Sequence, residues 1–156
     1  MLNNTINHEF FMQEAHKQAL LAYNEGEVPI GAVLVKDGEI ISKAYNHTIT
    51  SIDPTAHAEM LVIKSGALHM DNYRLNNTVL YVTLEPCIMC LGAIVQARVS
   101  ELVYACDDSR VGCLSRQKYH LNKDINHNLK VTSDIMNNQC KTLLKKFFLE
   151  RRGNKL

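Results

Sequence analysis

Apolar stripes at helical spacing alternate along the chain with short apolar runs, and that alternation predicts an order of helices and strands. Phe11, Ala15, Ala19 and Ala22 fall on one helical stripe. They predict a helix over residues 8–24, which Asn7 can cap and Gly26 can end. Residues 30–35 (Ile-Gly-Ala-Val-Leu-Val) and 39–45 flank Lys36-Asp37-Gly38, and Asp-Gly between two apolar runs predicts a β-hairpin. Pro54-Thr55 opens a helix over 57–69, with Thr55 expected as its N-cap and Leu61, Val62 and Leu68 as its buried stripe. Thr78 to Thr83 is rich in β-branched residues and reads as a buried strand. A helix over 88–97 and a strand over Glu101 to Ala105 follow, so strand, helix and strand form a right-handed parallel crossover. Asp107 to Asn128 is polar and without a period. Leu129 to Thr132 predicts a last strand. Residues 134–152 predict a terminal helix, with Ile135, Leu143, Leu144, Phe147 and Phe148 as its apolar contacts. The implied fold class is α/β: a three-layer α/β/α sandwich around a mixed sheet of about five strands, begun by a hairpin and finished by parallel strands.

Composition narrows the function classes. The chain has 156 residues, 46% hydrophobic and 21% charged, an ordinary globular mixture expected to form a single domain over 1–156. Disordered, collagenous and low-complexity chains are excluded. No segment approaches the roughly 20 apolar residues of a membrane span. Met1-Leu2-Asn3-Asn4-Thr5 lacks the basic and apolar regions of a secretory signal, so a cytoplasmic protein is expected. Five cysteines cannot all pair in disulfides, which turns attention to metal binding or catalysis. Net charge is +1, but residues 141–156 carry six basic residues against Glu150, and residues 1–140 are correspondingly acidic. That asymmetry fits either a polyanion-facing end or the solvated face of a terminal helix.

Two segments carry chemistry: Thr55-Ala56-His57-Ala58-Glu59 and Leu84-Glu85-Pro86-Cys87-Ile88-Met89-Cys90. Cys87-x-x-Cys90 at the start of a helix can bind a metal, since the helix N-terminus favours thiolates. Alone, the pair leaves a redox couple, half a zinc site and coincidence open. His57 adds a third ligand, and a catalytic zinc keeps its fourth position for water. A closed site completed by Cys106 or Cys113 is the structural alternative. Glu59, two residues from His57, favours catalysis: a carboxylate beside a zinc-bound water is a proton shuttle.

His-Ala-Glu followed by Pro-Cys-x-x-Cys resembles the signature of the zinc nucleoside and nucleobase deaminases. Within that superfamily the chain is most similar to the bacterial tRNA-specific adenosine deaminases, over nearly its whole length. The matching segments are Glu27 to Val33, Asn46, Asp53 to Glu59, Tyr73-Arg74-Leu75, Tyr81 to Cys90, Asn126-His127, Phe147-Phe148 and Arg151-Arg152. One region departs: Leu114 to His120 replaces a run of small residues and is one residue shorter. The resemblance implies a cytidine-deaminase-type sandwich and one Zn2+ per chain on His57, Cys87 and Cys90. It implies hydrolytic deamination of adenosine to inosine at a tRNA wobble position, with Glu59 as proton shuttle. It also implies that Asn46 bonds the base, that Val28 walls the pocket, and that backbone around Ala58 and Leu84 to Pro86 faces the base. The partners implied are a tRNA anticodon stem-loop and a second copy of the chain.

Asp108, Ser109 and Arg110 lie past a strand end, where α/β sites sit, and are expected to touch flanking nucleotides; otherwise they form a polar turn. Phe148 and Arg151 are expected along the RNA groove, unless the Phe pair is core. The rival functions are a deaminase of free guanine, cytosine or cytidine, an RNA-binding module with a structural zinc, and a redox protein. Cys106, Cys113 and Cys140 read as packing residues.

Overall fold

The computed structural model describes residues 7–153; the predicted absence of a signal at Met1 to Thr5, and the charge of Lys155, lie outside them. The elements in chain order are α1 (His8–Asn24), β1 (Gly31–Lys36), β2 (Glu39–Tyr45), α2 (Ala58–Met70), β3 (Thr78–Leu84), α3 (Ile88–Gln96), β4 (Glu101–Cys106), β5 (Lys130–Thr132) and α4 (Asn137–Gly153). The sheet order is β2-β1-β3-β4-β5. The β1 strand runs antiparallel to β2 and β3, and β3, β4 and β5 are mutually parallel.

Strand alternation sorts the core into two layers. Ala32, Leu34, Leu80, Val82, Leu102 and Tyr104 face Val62 of α2 and Leu91 and Ile94 of α3. Val33, Val35, Tyr81, Val103 and Ala105 face Phe11, Met12 and Ala15 of α1 and Cys140 and Leu144 of α4. The three-layer α/β/α sandwich follows, because a sheet apolar on both faces must be covered on both.

The local signals at α1 and the hairpin act as expected. Asn7 accepts the Phe10 N–H. Gly26, at φ 76°, ends α1 with Gly26 N–H bonding Tyr23 O and Glu27 N–H bonding Ala22 O, a Schellman closure. Asp37 and Gly38 both take positive φ between the paired Lys36 and Glu39, as a type I′ turn requires. Gly31 lets α1 approach the sheet closely, since a Cβ there would lie 2.1 Å from Ala15 O.

Three details differ from the sequence reading. Thr55 is not the N-cap of α2; its N–H and hydroxyl are both held by Asp53 Oδ1, and His57 takes the cap position. Leu68 is 77% exposed rather than buried, and Leu61 only half-buried. The α4 helix starts at Asn137 rather than 134, which leaves Ile135 outside it. The polar stretch after β4 is a crossover of turns with one short 3-10 segment, Tyr119–Leu121. No helix among the described residues is long and apolar enough to cross a membrane.

Candidate active site

The starts of α2 and α3 converge at the carboxyl ends of β3 and β4. His57 caps α2 and Cys87 caps α3, both in extended backbone, yet neither side chain makes a capping hydrogen bond. They turn toward each other instead. His57 Nδ1 lies 3.6 Å from Cys87 Sγ and 3.5 Å from Cys90 Sγ, and all three ligand atoms lie within 4.8 Å. Zinc bonds of about 2.3 Å to sulfur and 2.0–2.1 Å to nitrogen, at tetrahedral angles, separate N from S by about 3.5 Å. Donor set and spacing therefore fit a zinc ion. Among the described residues no fourth His, Cys, Asp or Glu joins the cluster. One tetrahedral position stays available for water, as in catalytic rather than structural sites.

The protons are arranged for a cation. The Cys90 thiol beside Cys87, seconded by His57, draws Cys87 down to about 4, while Cys90 itself is pushed up. The thiolate at Cys87 holds His57 above its ordinary value. The positive end of α3 supports the negative sulfur.

Asn46 supplies the cap that His57 does not. Its Oδ1 accepts the Ala58 N–H at 2.8 Å, so the amide NH2 is the group left to meet a ligand. Glu59 follows on the first turn of α2. It is 4% exposed, and burial pushes its carboxyl up to about 7.

These groups open into a cavity of about 600 Å³. Val28, Asn46, His57, Glu59, Leu84 and Cys87 line its floor and near wall. Asp108, Ser109, Arg110 and Phe148 line the same cavity. Ala58 and Pro86 do not line it: the Ala58 N–H is taken by Asn46, and the Pro86 carbonyl accepts the Cys113 thiol. Arg151 points elsewhere, donating to Gly26 O with its guanidinium 4.8 Å above the Phe147 ring. Arg152 stands on the cavity wall in its place, with Lys141 and Lys145. Spacing from Phe148 along α4 was the signal for Lys141 and Lys145, which share its helical face; it does not separate Arg152 from Arg151, four and three residues further on. Cys106, Cys113 and Cys140 are buried, outside the metal cluster, and raised by burial to about 11, 11 and 12.

Two buried carboxylates hold the cavity rims. Burial opposes ionisation of Glu27, but hydrogen bonds from Thr50, Ile49 and Thr48 outweigh it and hold its carboxyl below the usual range. Glu85 accepts from Leu114 N and Ser115 N through Oε1, and from Asp108 N and Ser115 Oγ through Oε2, at 2.7–2.9 Å. One side chain thus ties both ends of the Asp108–Ser115 loop to the strand end that carries the zinc ligands. Glu85→Ala leaves three backbone donors without a partner. The expected loss is roughly 2–4 kcal/mol of unfolding free energy, read by denaturant titration of the zinc-loaded protein. A loss under about 1 kcal/mol would mean that water replaces the carboxylate at no cost.

Residues 5–106 match the family described as the cytidine and deoxycytidylate deaminase zinc-binding region. The tRNA-specific adenosine deaminase of Haemophilus influenzae is 43% identical over 150 residues, 94% of this chain and 86% of that protein. A solved structure from work on A-to-I editing by tRNA:A34 deaminases superposes with a TM-score of 0.83 at 38% identity, covering 86% of this chain and 98% of that one. Guanine deaminase from Bacillus subtilis gives a TM-score of 0.62 at 44% identity, covering 65% of this chain and 66% of that one. Signature, fold and comparisons agree: the chain belongs to the zinc-dependent cytidine and deoxycytidylate deaminase family, beside the tRNA-specific adenosine deaminases.

Proposed function

We propose that this protein, as a single catalytic domain, converts adenosine to inosine at the wobble position of a tRNA anticodon. The observation that carries the reading is one cavity joining the His57–Cys87–Cys90 cluster and Glu59 to a wall bearing Arg110, Lys141, Lys145, Phe148 and Arg152. A deaminase of free bases has no need of a cationic, aromatic wall beyond its zinc.

His57, Cys87 and Cys90 would hold a zinc ion, whose chemistry there would be to lower the pKa of a water to about 7. The chain's own groups do the rest. Glu59 accepts a proton, delivers it to N1 of adenine, and serves the amino group again as it departs in ammonia. Oxygen from water thereby replaces nitrogen at C6. Asn46, its oxygen engaged by Ala58, offers its NH2 to the base, and Val28 and Leu84 form the apolar walls. The nucleotide leaves its stack to reach the buried Glu59, as a loop base can at low cost. The enzyme works in the cytoplasm as a homodimer, and exposed Ile88 at the start of α3, with exposed Tyr119 sharing a groove with it, supports a second copy there.

The test is inosine formation in an anticodon stem-loop with adenosine at the wobble position, beside ammonia release from guanine, cytosine, cytidine and free adenosine. Turnover confined to the stem-loop is expected. Turnover of guanine or cytidine without turnover of the stem-loop would replace this reading with the free-base or nucleoside alternative.

A further inference from the structure

The α4 helix has three faces with different duties. Cys140, Leu144 and Phe147 are buried against the sheet. Lys146, Glu150 and Arg151 turn toward α1: Lys146 lies 5.1 Å from the Tyr23 ring centroid, Glu150 accepts from the Tyr23 hydroxyl, and Arg151 holds Gly26 O. The third face, Lys141, Lys145, Phe148 and Arg152, lies one residue further round from the buried one and lines the cavity.

The cations of that third face have no acidic partner. Among the described residues none of Lys141, Lys145 and Arg152 forms an ion pair within 4 Å. Acids do share the cavity, but they are engaged. Glu85 is filled by its loop, Asp107 accepts from the Tyr104 hydroxyl, Asp108 accepts from Arg110 N, and Glu59 is buried beside the metal cluster. Phe148, at 36% exposure, sits between the lysines and Arg152, with the Arg110 guanidinium 5.8 Å from its ring. Exposed cations flanking a half-open aromatic ring are the elements of a single-strand track, in which phosphates meet charge and a base meets the ring. From Lys141 to Arg152 the face is about 16 Å long, enough for several successive nucleotides.

Resting on the RNA reading above, we propose that Lys141 and Lys145 form a phosphate track that guides the substrate strand between the cavity and the outer end of α4. Lys146, on the same helix with the same charge, lies outside the track.

The experiment measures binding of a fluorescent anticodon stem-loop carrying inosine at the wobble position, which cannot react. Affinity is read by anisotropy across roughly 50–200 mM salt. Each lost single-strand phosphate contact lowers the slope of log K against log salt by about 0.7. The Lys141→Gln/Lys145→Gln pair is expected to flatten the slope by about 1.4 and to weaken binding, while Lys146→Gln keeps the wild-type slope. A double variant with the wild-type slope, or an equal flattening by Lys146→Gln, overturns the track. The wild type run on a reactive stem-loop tests the catalytic reading separately: absent turnover with a normal slope series sinks that reading and leaves the track standing.

Discussion

Glu59→Ala is expected to lower kcat by about 10²–10⁴-fold or more, the range for removing a positioned general acid–base, with the fold and zinc content retained. The cavity holds four carboxylates, and three of them are engaged. Glu85 holds four donors, Asp107 takes a tyrosine hydroxyl, and Asp108 takes a backbone N–H. Glu59 alone of the four feels His57, Cys87 and Cys90 at its carboxyl, and it is not one of the cluster. Its place on the first turn of α2, two residues past His57, keeps that relation rigid. Glu59→Gln keeps the volume and tests the proton itself, and it should lose as much turnover as Glu59→Ala. The checks are single-turnover inosine formation, metal analysis and circular dichroism on each variant. Turnover within about tenfold of wild type in a zinc-loaded Glu59→Ala would transfer the proton to another group and overturn the shuttle.

Cys87→Ala should remove the metal itself and silence the protein. Three ligands hold a catalytic zinc, so losing one leaves an imidazole and a single thiol with no further His, Cys or carboxylate in the cluster among the described residues. Zinc should fall from about one per chain to a small fraction. The substitution is well placed because Cys87 makes no capping bond to α3 and is only half-buried, so Ala costs the helix little. Zinc binds the folded state and stabilises it by mass action, so a chelator should lower the melting temperature of the wild type. The same chelator should leave Cys87→Ala unmoved. A variant that still holds about one tight zinc per chain would show that the ligand set is wrong.

What the sequence determined on its own is local or carried by residue type. Helical stripes, and apolar β-branched runs bounded by turn residues, located the five strands and four α-helices to within a few residues, because burial on one face of a helix leaves a 3.6 period and burial on both faces of a strand leaves an unbroken apolar run. Asn7, Asp37-Gly38 and Gly26 act within a few residues of where they stand. The gathering of His57 with Cys87 and Cys90 was equally legible, since a zinc ligand set is chemistry written in residue type and spacing.

Only the tertiary structure decided the rest, and the reason is sequence distance. Thr55 has every credential of an N-cap, but Asp53 claims its hydroxyl, and the duty passes to Asn46, twelve residues before Ala58. Glu85 reads as an acid beside a metal motif, and nothing local reveals that it holds backbone 23 to 30 residues away. Arg151 and Arg152 are neighbours of equal charge, separated by about 100° of helical rotation. Which of them meets the cavity depends on how Cys140, Leu144 and Phe147 seat α4 against the sheet. Such choices are made by packing between distant segments, which no window along the chain contains.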